Sequence, residues 1–345
     1  MKKLRVGLIF GGESAEHEVS VMSARNIRAA LDGAKYEPIL IRIDRSGVWH
    51  LVDEFDDAGQ ELAALPGRSA LLVRDTGEEL PLDAAFPILH GPMGEDGTMQ
   101  GLLELAKIPY VGPGVLGSAV GMDKDIMKRL LRDAGLGVAD CVTITSSDVD
   151  ADEIIEQLGL PLFVKPANMG SSVGVSKVET AEALRPAIAE ALRYDTKVLI
   201  ETGIVGDEIE CAVLGNANPE ASTVGRVVPQ SASFYSYDAK YIDSDGALLE
   251  IPAKLPKEII EQARQTALLT YQVLGCEGMT RVDMFVQKDG SLIINEVNTI
   301  PGFTNISMYP KLWEASGLGY TNLITRLLEL AVERYTTRAA LRTEA

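Results

Sequence analysis

The chain opens on an unbroken apolar run, LRVGLIF (4–10), which predicts a buried strand. The following segment, 15–33, places Val19, Met22 and Ala29 at helical spacing and ends at Gly33, as an amphipathic helix does. EPILIRID (37–44) reads as a second strand and AAFPILHG (84–91) as a third. TMQGLLELAKI (98–108) has the pattern of an amphipathic helix, and PYVG (109–112) that of a short strand. Strand alternating with helix predicts a mostly parallel sheet with helices on its faces.

Past Gly121 the rhythm changes. MDKDIMKRLLRDAG (122–135) and DVDADEIIEQLG (148–159) are helices stopped by Gly135 and Gly159. PLFVKP (161–166) is a strand between prolines, followed by the Gly/Ser-rich loop ANMGSSVGVSKV (167–178), which leads into another strand. The helix TAEALRPAIAEALRY (180–194) requires Pro186 to lie early or to kink it. KVLIETGI (197–204) is a buried strand. The last third begins with DEIECAVLGN (207–216). It continues through SASFYSYDAKYIDSDG (231–246), which has neither period; a long irregular stretch in a compact domain is functional or disordered. A helix (257–275), the hairpin TRVDMFVQ–KDG–SLIINEVN (280–298) and the helix NLITRLLELAVERY (322–335) close the chain, with a tail predicted to fray. No internal repeat is visible.

Composition narrows the class. At 345 residues, 46% of them hydrophobic, the chain suffices for two or three domains with their own cores. The net charge of -18 and pI of about 4.7 argue against nucleic acid or an anionic membrane as the main partner. A small anionic substrate remains compatible, because a few local Lys and Arg outweigh a diffuse acidic surface. The opening MKKLRVGLIFGG lacks a small-residue cleavage site, and no stretch is long and apolar enough for a membrane helix. Cys141, Cys211 and Cys276 are odd in number and widely spaced, which favours isolated core thiols in a reducing cytoplasm over disulfides or zinc.

The hairpin carries the strongest chemical pattern. Alternation puts Arg281 and Asp283 on one face and Glu296 with Asn298 on one face of the return strand. Two carboxylates, an amide oxygen and a guanidinium then converge, and close carboxylates call for a cation between them. Oxygen-only donors suit magnesium; the rival reading is an ordinary solvated hairpin face. Pro301 and Gly302 follow in a turn whose amides suit an anion. Lys165 ends an apolar strand, and the loop Gly170–Gly174 offers backbone N–H groups with Ser171 and Ser172, a cover for phosphates or a plain linker. It is not a Walker-type loop. Gly112, Gly114 and Gly117 satisfy GxGxxG, but Pro113 and the position in the chain favour a tight turn before a helix over a dinucleotide site. Glu16 follows the first strand, as an ammonium binder or as an acid favoured by the helix dipole. His90 lies in a Gly-rich loop after the third strand, a candidate site residue or a satisfied structural histidine, while His17 and His50 read as surface residues.

Together GGESAEHEVS, HGPMGEDGTMQG, GMDK, VKPANMGSSVGVSKV, FYSYDAKY, TRVDMF and NEVNTIPGFTNISMYP resemble the motifs of the D-alanine–D-alanine ligases, a family of the ATP-grasp superfamily. They span nearly the whole chain in that family's order. The resemblance implies an α/β fold, α+β in its ATP-grasp part: an N-terminal substrate-binding domain over 1–121, a central lobe over 122–203, and a C-terminal lobe with the metal site and a mobile loop over 204–345. It implies that ATP and two D-alanine molecules give D-alanyl-D-alanine for peptidoglycan synthesis, through an acyl phosphate. Lys124 and Lys165 would contact phosphates; Glu201, Thr202, Gly203 and Ile204 would form the adenine hinge, with contacts mainly through the backbone, and Glu208 would bind ribose. Ser171, Ser172, Asn295 and Glu296 complete the ATP set, and Asp283, Glu296 and Asn298 would hold two Mg2+ (or Mn2+). Glu16, with Ser171 and Tyr241, would hold the first substrate's ammonium, beside His90. Arg281 and the Gly302 amide would stabilise the oxyanion, and Lys240 and Ser307 the second carboxylate. A cytoplasmic homodimer is the usual form. A D-alanine–D-lactate ligase of the same fold is the alternative; its relatives carry Phe where Tyr241 stands, so the DAKY form favours an amine nucleophile. A biotin-dependent carboxylase subunit would lack the Glu16 loop, and a non-catalytic nucleotide module would not retain Asp283, Glu296 and Asn298 together with Lys165.

Overall fold

A computed structural model of the chain describes residues 2–229 and 247–342. The segment 231–246, with Lys240 and Tyr241, lies outside them. Three sheets organise the described residues. The first has seven strands: β1 (Leu4–Gly11), β2 (Tyr36–Ile43), β3 (Trp49–Val52), β4 (Gln60–Leu65), β5 (Ala70–Val73), β6 (Glu78–Pro81) and β7 (Ala84–Pro87), in the order β6-β5-β4-β3-β2-β1-β7. β1 runs apolar because both its faces are covered. Val6, Leu8 and Phe10 pack with Ala24 and Ile27 of α1 (His17–Ala30), while Ile9 packs with Leu103 of α2 (Thr98–Leu105) on the opposite side.

The sheet is parallel only through β2, β1 and β7; β2 through β6 form an antiparallel run that the alternation of strand and helix did not predict. Those strands are short and their turns polar, so their period is weak. PYVG contributes a single bridge, Tyr110 to Ala85. The expected face of α1 is also corrected: Met22 and Ala29 are exposed, and the buried stripe is Val19, Ser20, Ser23, Ala24 and Ile27. Its two serines are buried because they are bonded. Ser20 accepts from Gly11 N–H at 2.8 Å and donates to the Ile88 carbonyl, and Ser23 accepts from Phe303 N–H at 3.1 Å.

α3 (Val115–Met122) follows the tight turn at Gly112, whose φ is +99°, as the non-dinucleotide reading of that GxGxxG expects. α4 (Lys124–Asp133) is capped by Asp123, whose carboxylate accepts from Asp125 N–H and Ile126 N–H. The second sheet is antiparallel: β8 (Cys141–Ile144), β9 (Leu162–Pro166), β10 (Ser176–Val178) and β11 (Val198–Thr202), in the order β10-β9-β11-β8. It is backed by α5 (Ala151–Leu158) and α6 (Ala181–Ala191), which contains Pro186.

The third sheet takes β12 (Asp207–Gly215), β13 (Glu220–Pro229), β14 (Ala247–Glu250), β15 (Gly278–Val286) and β16 (Leu292–Asn298) in the order β14-β13-β12-β15-β16. Ile209, Cys211 and Val213 of β12 pack under α7 (Lys257–Val273). The other face changes character along the strand. Glu208 and Glu210 come first; then Ala212 and Leu214 join a core with α8 (Met308–Ala315), α9 (Tyr320–Ala339) and the first sheet. α9 runs through the tail expected to fray as far as Ala339. Buried Arg334 donates to the carbonyls of Gly112 and Tyr110 and stacks on the Tyr110 ring, and Arg338 pairs with Glu104 and Glu277 at 2.8 Å. The three cysteines are free, with Cys211 and Cys276 buried and Cys141 half-buried.

Candidate active site

Between the second and third sheets lies a cleft with about 300 Å3 of free space, within the usual range for a small-molecule site. Phe163, Phe285 and Ile294 supply apolar walls, and Lys124, Lys128, Lys165, Glu201 and Glu296 supply charge. Ser172, Thr202, Ile204, Glu208 and Asn295 complete its predicted lining. Asn295 reaches the cleft because β16 carries a bulge: Asp283 pairs with Glu296 but Met284 with Ile294, so Asn295 is the extra residue.

The charges are paired. Lys165 Nζ is 2.7 Å from Glu201 Oε2, Lys128 Nζ is 3.2 Å from Glu201 Oε1, and Lys124 Nζ is 3.8 Å from Glu296 Oε2. Lys124 also donates to the Met169 carbonyl at 2.7 Å, which ties it to the glycine-rich loop. Burial pushes the Lys124 and Lys128 ammoniums below their ordinary values, with their carboxylates opposing. Burial alone would raise the Glu201 carboxyl, but Lys165 and Lys128 override it and hold it low. In the hinge, Thr202 N–H is bonded to the Asp140 carbonyl and Gly203 N–H to that of Pro161, and Gly203 is not on the lining.

A second, smaller pocket adjoins the cleft. Glu16, His90, Ser171, Arg281, Glu296, Asn298, Gly302 and Ser307 line it, drawn from all three sheets' surroundings. Glu296 belongs to both linings, and the neighbours Ser171 and Ser172 divide between pocket and cleft. Both serines hold positive φ, 51° and 60°, an uncommon conformation for residues with a side chain. Ser171 donates to Glu16, and a Cβ on Gly170 would stand 3.1 Å from the same carboxylate. A Cβ on Gly302 would meet Ser307 Oγ at 2.8 Å, so glycine lets that turn close on Ser307. Ser307 Oγ in turn accepts from Thr304 N–H at 3.0 Å.

On the floor of this region three carboxylates stand on adjacent strands: Glu210 pairs in register with Asp283, and Asp283 with Glu296. Arg281 donates to both oxygens of Asp283 at 2.7 and 2.6 Å and lies 2.7 Å from Glu210; Asn298 donates to Asp283 at 2.9 Å. The hairpin faces are thus as alternation predicts. Among the described residues no three His, Cys, Asp or Glu side chains are placed to hold a metal by themselves. The predicted set, two carboxylates and an amide oxygen, has suitable donor chemistry for a hard cation.

Sequence reasoning missed Glu95, Glu210 and Lys128. Buried Glu95 accepts from Gly91 N–H at 2.7 Å and Ile300 N–H at 3.1 Å, clamping the His90 loop to the Gly302 turn. Burial, reinforced by Glu16, pushes its carboxyl up to about 8. Its place in HGPMGEDG was a signal; its partner Ile300, 205 residues away, was not visible. Glu210 alternates with Glu208, the trace that could have found it. His90 is held through Nδ1 and the Ile300 carbonyl at 3.1 Å, and burial lowers its pKa against the pull of Glu16. His17 and His50 are half-buried rather than on the surface, bonded to the Gly12 carbonyl and to Asp44.

Comparison with known proteins agrees with this geometry. Residues 5–113 match the D-ala D-ala ligase N-terminus, and residues 130–329 the D-ala D-ala ligase C-terminus. The chain is 53% identical to D-alanine–D-alanine ligase A of Salmonella typhimurium, covering 99% of this chain and 100% of that protein. It is 54% identical to that of Chromobacterium violaceum, over 97% and 96%. The structure of the D-alanine-D-alanine ligase from Coxiella burnetii superposes with a TM-score of 0.88 at 38% identity, over 98% and 97% of the two chains. The VanG D-Ala:D-Ser ligase of Enterococcus faecalis gives 0.87 at 35%, over 96% and 100%. Matches to both halves in order, and identity above one half over nearly the full length, place this chain in the D-alanine–D-alanine ligase family.

Proposed function

We propose that the protein joins two D-alanine molecules at the expense of ATP, giving D-alanyl-D-alanine, ADP and phosphate. The observation that carries this reading is Glu296, which lines both the nucleotide cleft and the amino-acid pocket. A phosphoryl group held at that shared wall is within reach of a carboxylate held in the pocket. A carboxylate is a poor electrophile; phosphorylated by ATP it carries a good leaving group, and an amine then displaces phosphate.

In this reading each residue has a part. Lys124 and Lys165 bring positive charge to the phosphates, and the loop at Ser171 and Ser172 covers them. The cleft's apolar walls take the base beside Glu201 and Ile204, and Glu208 takes the ribose. Glu16, oriented by Ser171, receives the ammonium of the first amino acid, with His90 behind it. Arg281 and the Gly302 amide face the developing oxyanion and Ser307 the second carboxylate, which Lys240, outside the described residues, would also bind. Asp283, Glu296 and Asn298 would hold two magnesium or manganese ions, which supply charge neutralisation on the phosphates. Tyr241 and its loop, outside the described residues, would close the pocket and exclude water from the acyl phosphate.

The three sheets support a division at 1–121, 122–203 and 204–345. No helix among the described residues is long and apolar enough to cross a membrane; a cytoplasmic homodimer supplying cell-wall synthesis is the proposed setting. The test is phosphate release with ATP and magnesium, comparing D-alanine, L-alanine and D-alanine plus D-lactate. Release with D-alanine alone, and dipeptide as product, is the expected result; release only with D-lactate present would overturn it.

A further inference from the structure

Lys128 lines the nucleotide cleft, yet no role above falls to it. It stands one turn beyond Lys124 on α4 and is only 1% exposed, the most deeply buried of the cleft's three lysines. An ammonium group taken out of water is costly unless a partner and a purpose keep it there. The partner is Glu201, whose two oxygens are divided between Lys128 and Lys165. Lys124 meanwhile faces Glu296 at the phosphate side. The helix thus sets one lysine at each end of the cleft.

Charge arithmetic gives Lys128 its effect. Two ammoniums on one carboxylate leave a net positive charge for the nucleotide. Without Lys128, Glu201 and Lys165 form a closed neutral pair, and Lys165 is held back from the phosphates. The base end responds too. An ionised carboxylate accepts a hydrogen bond from the exocyclic amine of adenine, whereas guanine offers a carbonyl oxygen at the same position and is repelled. We propose that Lys128 is a positioning residue that shares the Glu201 carboxylate with Lys165 and holds it aimed at the base, so that Lys165 serves the phosphates and adenine is preferred over guanine. The inference rests on the proposed reading of 201–204 as the base-binding hinge.

A purely structural tie between α4 and β11 would lower stability without changing base preference. Steady-state kinetics of the full chain at saturating D-alanine, with ATP or GTP, separates the two. Lys128→Met is expected to raise KM for ATP roughly 10-fold, to leave kcat within about 3-fold, and to lower the ATP/GTP ratio of kcat/KM roughly 10-fold. Lys128→Arg should restore the ratio. If Lys128→Met does not fold, Lys128→Gln carries the test, since it removes the charge while retaining a hydrogen-bond donor. A parental ratio in the neutral variant, with the ratio altered in Glu201→Gln, overturns the inference and leaves the hinge reading intact. A parental ratio in Glu201→Gln itself overturns the hinge reading, and the inference with it.

Discussion

In the nucleotide cleft the carboxylates face ammonium groups, buried Glu201 against Lys165 and Lys128, and half-buried Glu296 against Lys124. In the amino-acid pocket Glu16, Glu95 and Glu210 share a lining whose permanent cation, among the described residues, is the Arg281 guanidinium. The first arrangement suits a polyanion that arrives with its own metal; the second suits a molecule that brings an ammonium group. A chain of net charge -18 achieves the first by concentrating lysines where burial makes each of them count. Among the described residues the second lining holds more carboxylates than cations, and Glu95 keeps its proton up to about pH 8.

Four substitutions test that contrast. Glu296, common to both regions, should give the largest effect: Glu296→Ala is expected to cut phosphate release about 1,000-fold while the melting temperature barely moves. Unchanged turnover at saturating magnesium would remove it from the shared wall's chemistry. In the pocket alone, Glu16→Gln replaces a charged acceptor by a neutral one and should lower kcat/KM for D-alanine on the order of 10- to 100-fold, with KM for ATP unaffected. A matching loss in ATP affinity would show that cleft and pocket are not separate in the way their charges suggest.

Glu95 gives a smaller, pH-dependent effect. Its folded carboxyl lies at about 8 against an ordinary 4.5, so its contribution is fully present below pH 4.5 and is lost as pH rises through about 8. Across that window the parent should lose on the order of a few kcal/mol from this group, and Glu95→Gln should flatten the slope. Equal slopes in thermal melts from pH 5 to 8 would count against a buried proton there. Arg338→Ala, far from both regions, should move the melting temperature by about 1–2 °C and leave kinetics unchanged, because its pairs with Glu104 and Glu277 are partly exposed.

How much was legible depended on sequence distance. The hairpin faces could be read from alternation, and the structure places Arg281, Asp283, Glu296 and Asn298 together as that alternation requires. The bulge at Asn295 could not, since it depends on how two strands settle against each other. Met22 looked like a core residue by spacing, but the surface over α1 is closed by Ser20 and Ser23, bonded to Ile88 and Phe303 from distant segments. Glu210 gained its meaning only when β12 lay beside β15, and Lys128 only when α4 lay against β11.

By itself, then, the sequence determined the elements with strong periods, the motifs and their order, and hence the family and the chemistry the chain is equipped for. Those features are local, because period and spacing constrain neighbours along the backbone. Tertiary structure alone decided which carboxylates share a floor, which lysines divide one carboxylate between them, and which hinge amides are already committed. Such decisions turn on burial and on partners as far apart as Glu95 and Ile300. A charge's cost and use are set by the groups that surround it in space.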